Sequence, residues 1–177
     1  MRYKKYVLAA SLVMLSSSVY AEGARVAQAK MIDSMGKKIG IATLVENSKG
    51  GVQISLNAHG LTPGLHGMHV HSVGHCVTST FVSAGAHFNP GGTQHGMENP
   101  LGPHAGDLPN LEVKPNGNAA TNIENEYVTL ELGMVNSLLD ANGSAIIIHQ
   151  NPDDNITNPT GNSGRRVACG VIESLGN

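Results

Sequence analysis

The stretch Gly64-Leu65-His66-Gly67-Met68-His69-Val70-His71-Ser72 decides how this chain folds. The apolar run from Gly67 to Val73 reads as a β-strand. Side chains on a strand alternate faces, so His69 and His71 point one way and Val70 the other. Two imidazoles on one strand face begin a metal site. Neutral imidazole nitrogen suits copper, zinc and iron, and a ligand set with no thiol and one nearby acid suits copper and zinc first.

Upstream of this strand, short segments rich in valine, isoleucine and threonine run over Arg25–Ile32, Ile39–Val45 and Val52–Asn57. They are separated by the turns Ser34–Lys37 and Asn47–Gly51, with Lys49-Gly50-Gly51 as a hairpin loop. Gly64–Ser72 is the fourth strand. Strand-like segments resume at Leu111–Val113 and Ala119–Ile123, around the turn Asn116-Gly117, and continue at Tyr127–Leu132, Ser144–His149 and Arg166–Glu173. No segment has the period of an amphipathic helix. The pattern predicts an all-β fold, an antiparallel sandwich or barrel of short strands. Beyond residue 21 the aromatics are Phe81, Phe88 and Tyr127, which implies a core of valine, isoleucine, leucine and alanine.

Between the fourth strand and Pro109 the chain carries Gly85, Pro90, Gly91, Gly92, Gly96, Pro100, Gly102, Pro103 and Gly106. Such punctuation predicts a long irregular loop. Loops of this length in a compact domain are functional or disordered, and metal binding is a reason for this one to be ordered. It contains His87, His95 and His104, with Asp107 three residues beyond. Three imidazoles and a carboxylate are the donor set of a closed, four-coordinate zinc site. Each alone reads as a solvated loop residue; the set reads as a site. His149 ends the apolar strand Ala145-Ile146-Ile147-Ile148, just before a second irregular loop from Gln150 to Gly164.

The ends and the composition bound the setting. Arg2, Lys4 and Lys5 precede an apolar stretch from Val7 to Leu15, and Ser18-Val19-Tyr20-Ala21 closes it with small residues where a signal peptidase would cut. Residues 1–21 therefore read as a secretory signal peptide and residues 22–177 as one domain, exported to the periplasm; an uncleaved N-terminal anchor is the alternative. The leader holds three of the eleven basic residues and no acid, leaving eight against thirteen, a net charge of −5. That balance argues against nucleic acid or an anionic membrane as partner. Cys76 and Cys169 are the two cysteines. Export to an oxidising space favours their pairing as a disulfide, with buried free thiols as the alternative.

Four motifs now stand together: Gly64-Leu65-His66-Gly67-Met68-His69-Val70-His71, Gly85-Ala86-His87-Phe88-Asn89-Pro90, His104-Ala105-Gly106-Asp107-Leu108, and Gly161-Asn162-Ser163-Gly164-Arg165-Arg166-Val167-Ala168-Cys169-Gly170-Val171. Over essentially the whole span from Lys30 to Glu173 the chain resembles the Cu/Zn superoxide dismutases, in their exported bacterial form. The resemblance implies an eight-stranded Greek-key β-barrel with two long functional loops. It implies one copper on His69, His71, His87 and His149, and one zinc on His87, His95, His104 and Asp107, with His87 shared. It makes Arg166 the active-site arginine and Thr160 the residue that narrows the channel with it. Asp153 becomes the carboxylate joining the outer nitrogens of a copper and a zinc ligand. The implied substrate is superoxide, converted to oxygen and peroxide as copper alternates between two oxidation states, with His87 as the proton donor to the departing peroxide.

Some features are particular to this chain. Sixteen residues separate His71 from His87, close to the compact eukaryotic-type loop, whereas Cys76 follows His71 by five, as in the bacterial proteins. Monomer and homodimer both remain open. The loop from His149 to Arg166 has no lysine and only Asp153, Asp154 and Arg165 as further charges. His66 reads as a structural residue bonded to backbone, His59 and His75 as surface residues, and Met68 as core filling. Three rivals use the same ligands: a copper and zinc buffer without turnover, a copper-only dismutase, and a β-sandwich whose metals only stabilise it. A buffer needs neither Arg166 nor Asp153, and a copper-only enzyme has no use for His95, His104 and Asp107 together.

Overall fold

The computed structural model describes residues 23–48 and 50–176. The expected signal peptide, and Lys49 of the expected hairpin loop, lie outside the described residues. Eight strands are present among them: β1 (Val26–Asp33), β2 (Lys38–Glu46), β3 (Val52–Ala58), β4 (Gly64–His71), β5 (Asp107–Val113), β6 (Ala119–Asn125), β7 (Ala145–His149) and β8 (Arg166–Ser174). A single short 3-10 turn, Val82–Ala84, interrupts the long loop after β4. All pairings are antiparallel, in the order β5-β4-β7-β8-β1-β2-β3-β6. The terminal strands β5 and β6 lie against each other, so the sheet curls into a nearly closed barrel. Around that circle β3-β6-β5-β4 follows the Greek-key order. No helix among the described residues is long and apolar enough to cross a membrane.

Period-two alternation sorts each strand. On β4, Met68 and Val70 enter the barrel, and on β7 Ile146 and Ile148 join them; all four are fully buried. Ala27, Ala29 and Met31 of β1, Leu44 of β2, and Ile54 and Leu56 of β3 fill the rest of this core. The opposite residues of β4 and β7, which are His69, His71, Ala145, Ile147 and His149, face outward, yet they are buried too. Loops cover them. Under one loop Phe81 and Ala84 pack on Ala145, Ile147 and Cys169 as a second apolar cluster. The barrel is thus apolar inside and carries a covered outer face.

Two expectations need correction. Tyr127–Leu132 is no strand: Thr129 makes only an isolated bridge to Ser137. Val128 and Leu130 are buried and gave the segment its alternating pattern, but its backbone bonds go locally, Thr129 N–H to the Asn136 carbonyl and Leu138 N–H to the Thr129 carbonyl. The Glu46 carboxylate then accepts from the Thr129 hydroxyl and the Leu130 N–H. The irregular loop also ends sooner than expected, because β5 begins at Asp107 rather than Leu111. Pro109 is tolerated there because β5 stands at the end of the hydrogen-bonded order, where a missing N–H interrupts no ladder on its outer side.

Cys76 and Cys169, 93 positions apart in the chain, form a disulfide with Cα atoms 5.8 Å apart. It ties the loop after β4 to β8, beside the second apolar cluster. Closing a loop of this length stabilises by about 4–5 kcal/mol in the chain-entropy model. Replacing both cysteines with serine should lower the unfolding free energy by about 2–5 kcal/mol, read from denaturant melts of the oxidised parent and the variant. Superimposable melts would show that the loop is held without the bond.

Candidate metal centre

The outer face of β4 receives residues from every neighbouring element. Register sets Asp107 of β5 opposite His69, and Ile147 of β7 opposite His69 on the other side. His71 forms an isolated bridge with His87, which brings the long loop back over the strand. A register shift after Ile148 sets His149 opposite Arg166 at the start of β8. Strand pairing alone therefore collects side chains from β4, β5, β7, β8 and the long loop into one buried region.

Two groups of donor atoms result. His69, His71, His87 and His149 each offer one ligand atom, all within 4.8 Å of one another. Their atoms His69 Nδ1, His71 Nε2, His87 Nε2 and His149 Nε2 are buried and have no hydrogen-bond partner. Such nitrogens would cost about 1–3 kcal/mol each if left unsatisfied. Distance alone forms a second group of His69, His87, His95 and Asp107. The hydrogen bonds argue for His104 in place of His69 there. His69 spends Nε2 on Asp153 and has its Nδ1 in the first group, whereas His104 Nδ1 is buried, lacks a hydrogen-bond partner and lies 3.3 Å from Asp107 Oδ1. His87 Nδ1 and His95 Nδ1 each lie 3.0 Å from that same oxygen. Four atoms bound tetrahedrally at ~2.0–2.1 Å sit about 3.3 Å apart, so these spacings suit a zinc-sized shell. The residues fit both metals, and His87 offers one nitrogen to each group.

The outer atoms explain why the inner ones face inward. His71 Nδ1–H donates to the Gly85 carbonyl at 2.9 Å and His149 Nδ1–H to the Gly164 carbonyl at 3.2 Å, which leaves each Nε2 as a lone pair. His69 Nε2 contacts Asp153 Oδ2 at 2.5 Å, and His95 Nε2 contacts Asp153 Oδ1 at 3.0 Å. One carboxylate thereby orients an imidazole from each group. Asp107 Oδ2 accepts from Gly96 N–H and His104 N–H, both at 2.9 Å, and so turns Oδ1 toward the three rings. Gly161 lies under the Asp153 and His95 contact: a Cβ there would stand 1.9 Å from Asp153 Oδ1 and 2.6 Å from His95 Nε2. Its φ of +60° also favours glycine.

Electrostatics follow burial. Burial pushes His71 down to about 2, His149 to about 3 and His69 to about 4, so all three are neutral at physiological pH and free to coordinate. Burial opposes charge on His95 as well, but the Asp107 and Asp153 carboxylates outweigh it and raise His95 to about 9. Burial raises Asp107 and Asp153, and hydrogen bonds from the surrounding histidines more than reverse it, holding both below the ordinary carboxylate range.

A cleft of about 450 Å³ leads to the first group, lined by His71, His87, His149, Thr160 and Arg166 among others. The Arg166 guanidinium is half-buried and donates to the Phe81 carbonyl and the Gly85 carbonyl, both at 2.6 Å. Phe81 has φ of +56°, uncommon for a bulky residue, and its ring is fully buried beside the disulfide. The seven donor candidates, Asp153, Thr160 and Arg166 all lie in or beside this region. Sequence reasoning missed the asparagines that join the two loops. Asn158 Oδ1 accepts from His95 N–H, Asn99 Nδ2 donates to the His95 carbonyl, and Glu98 N–H donates to the Asn155 carbonyl. For Asn155 and Asn158 the only signal was the density of asparagine between 151 and 162, which also reads as turn composition, and Asn99 had none.

The barrel and its two loop-covered, histidine-rich donor groups define a protein built to hold two metal ions side by side. Residues 38–172 match the family model described as copper/zinc superoxide dismutase (SODC). The chain is 46% identical over 167 residues to superoxide dismutase (Cu-Zn) 2 of Aquifex aeolicus, covering 94% of this chain and 96% of that protein. It is 42% identical over 149 residues to the superoxide dismutase-like protein YojM of Bacillus subtilis, covering 84% of this chain and 75% of that one. A crystal structure of a SOD-like protein from Bacillus subtilis superimposes with a TM-score of 0.80 at 41% identity, over 82% of this chain and 97% of that one. The chain belongs to the copper/zinc superoxide dismutase family.

The shifts predict how the metal-free protein responds to pH. His69, His71 and His149 take up protons near pH 6.5 when unfolded and far lower when folded, so stability falls as pH drops below about 6.5. The depressed Asp107 and Asp153 add to this loss once pH enters the carboxylate range. His95 acts oppositely: its contribution is complete below about 6.5 and is lost as pH rises toward 9. Thermal melts of chelated protein from pH 4 to 9 should therefore peak near pH 6.5. A melting temperature that stays level between pH 7 and 4 would contradict these environments.

Proposed function

We propose that this chain is an exported dismutase that protects the cell envelope from superoxide arising outside the cytoplasm. Copper is assigned to His69 Nδ1, His71 Nε2, His87 Nε2 and His149 Nε2. Zinc is assigned to His87 Nδ1, His95 Nδ1, His104 Nδ1 and Asp107 Oδ1. The observation that carries the reading is the set of buried, unpartnered imidazole nitrogens opening into the cleft that Arg166 lines. Copper held by these four nitrogens would supply one-electron redox chemistry.

The chain's own residues do the rest. Arg166, held by two carbonyls, presents a fixed positive charge to a small anion. Thr160 narrows the cleft beside it. His87 Nε2 would carry a proton for peroxide only in the state in which it does not hold copper, taking that proton from solvent while its Nδ1 stays engaged with the second group. Asp153 holds His69 and His95 in their working orientation. The leader-like residues 1–21 and the disulfide Cys76–Cys169 support a periplasmic setting, with residues 22–177 as the working domain.

Metal stoichiometry and superoxide dismutation measured on the same sample test the reading. One copper and one zinc per chain with activity is expected; both metals bound without activity would leave only a metal buffer. Replacing Arg166 with isoleucine should lower activity by roughly tenfold or more, with copper and zinc content unchanged. Full activity in that variant would move the anion path elsewhere.

A further inference from the structure

Asn110 belongs to none of the donor groups, yet it is tied to the residue that joins them. Its side-chain Oδ1 accepts from the Asp153 N–H at 2.7 Å, and its Nδ2 donates to the Asp153 carbonyl at 2.9 Å. One amide thus bonds the backbone on both sides of the Asp153 Cα. The side chain of that residue in turn reaches His69 Nε2 with one oxygen and His95 Nε2 with the other. Asn155 N–H, at 2.6 Å from Asp153 Oδ1, is the further local constraint on the carboxylate.

A bulge puts Asn110 there. Met68 pairs with Leu108 and His66 with Leu111, so Pro109 and Asn110 together oppose the single residue Gly67. In an unbroken strand Leu108 and Asn110 would share the core face. The extra residue lets Leu108 and Leu111 both enter the core and leaves Asn110 half-buried, turned toward the loop after β7. Asp107 and Asn110 therefore serve the centre from one strand: Asp107 approaches the imidazoles directly, and Asn110 reaches them through Asp153.

From this geometry we infer that Asn110 is a positioning residue for both metals, acting through the backbone of Asp153. The inference rests on the metal assignment proposed above. Asn110→Ala should weaken zinc binding roughly 10- to 100-fold in chelator competition, and should shift the Cu(II) electron paramagnetic resonance spectrum in the same direction as Asp153→Ala. In a double-mutant cycle the pair should lose no more zinc affinity than Asp153→Ala alone, since the clamp has nothing to position once the carboxylate is gone.

Fully additive losses would overturn the inference and place the effect in β5 and Asp107. A lower melting temperature with unchanged zinc affinity and copper spectrum would also overturn it, reducing Asn110 to loop packing. Asn110→Ser, too short to reach both backbone groups, carries the same test if the alanine variant does not fold. Parent protein that fails to bind zinc and copper would sink the metal assignment itself, a result distinct from a parent that binds both and a variant that binds them equally well.

Discussion

Buried imidazole lone pairs crowded against one another are the constraint on which this structure turns. His69, His71, His87 and His149 aim nitrogens at one another with no donor between them, an arrangement that costs about 1–3 kcal/mol per nitrogen until a cation satisfies it. Everything around the centre serves to keep those nitrogens facing inward. Backbone carbonyls of Gly85 and Gly164 take the outer N–H groups, and Asp153 takes two more. Burial keeps the rings of His69, His71 and His149 neutral and therefore able to coordinate.

The barrel makes this possible by giving one face of β4 and β7 to the core and the other to the loops. Interior packing of Met68, Val70, Ile146 and Ile148 anchors the strands, so their outward residues are held rigidly. The loops could not stay closed by apolar contact alone, because the site they cover is polar. They are fastened instead by a disulfide, by Arg166 bonded to two loop carbonyls, and by asparagine side chains joined to the backbone around His95 and Asp153. The same guanidinium that fastens a loop also lines the cleft to the first donor group.

Much of the site was legible in the sequence because strand periodicity is local. The spacing His69-Val70-His71 placed two imidazoles on one face, and the Gly/Pro-rich loop announced itself by composition. Tyr127–Leu132 misled for the same reason: Val128 and Leu130 alternate as in a strand, but Glu46, 83 residues away, captures the Thr129 hydroxyl. The start of β5 at Asp107 was hidden by Pro109 and Gly106, which signal a loop unless one knows that the strand lies at the end of the ladder.

By itself, then, the sequence determined the all-β class, the donor residues available and the resemblance that orders them, since alternation, turn chemistry and ligand type are properties of neighbouring residues. Only the tertiary structure decided which nitrogen of each ring faces inward, and that Asp153 reaches His69 with one carboxylate oxygen and His95 with the other. Those choices depend on hydrogen bonds between segments tens of residues apart and on a bulge whose register no local pattern reveals. Convergence of that kind is a property of the closed barrel and its covering loops.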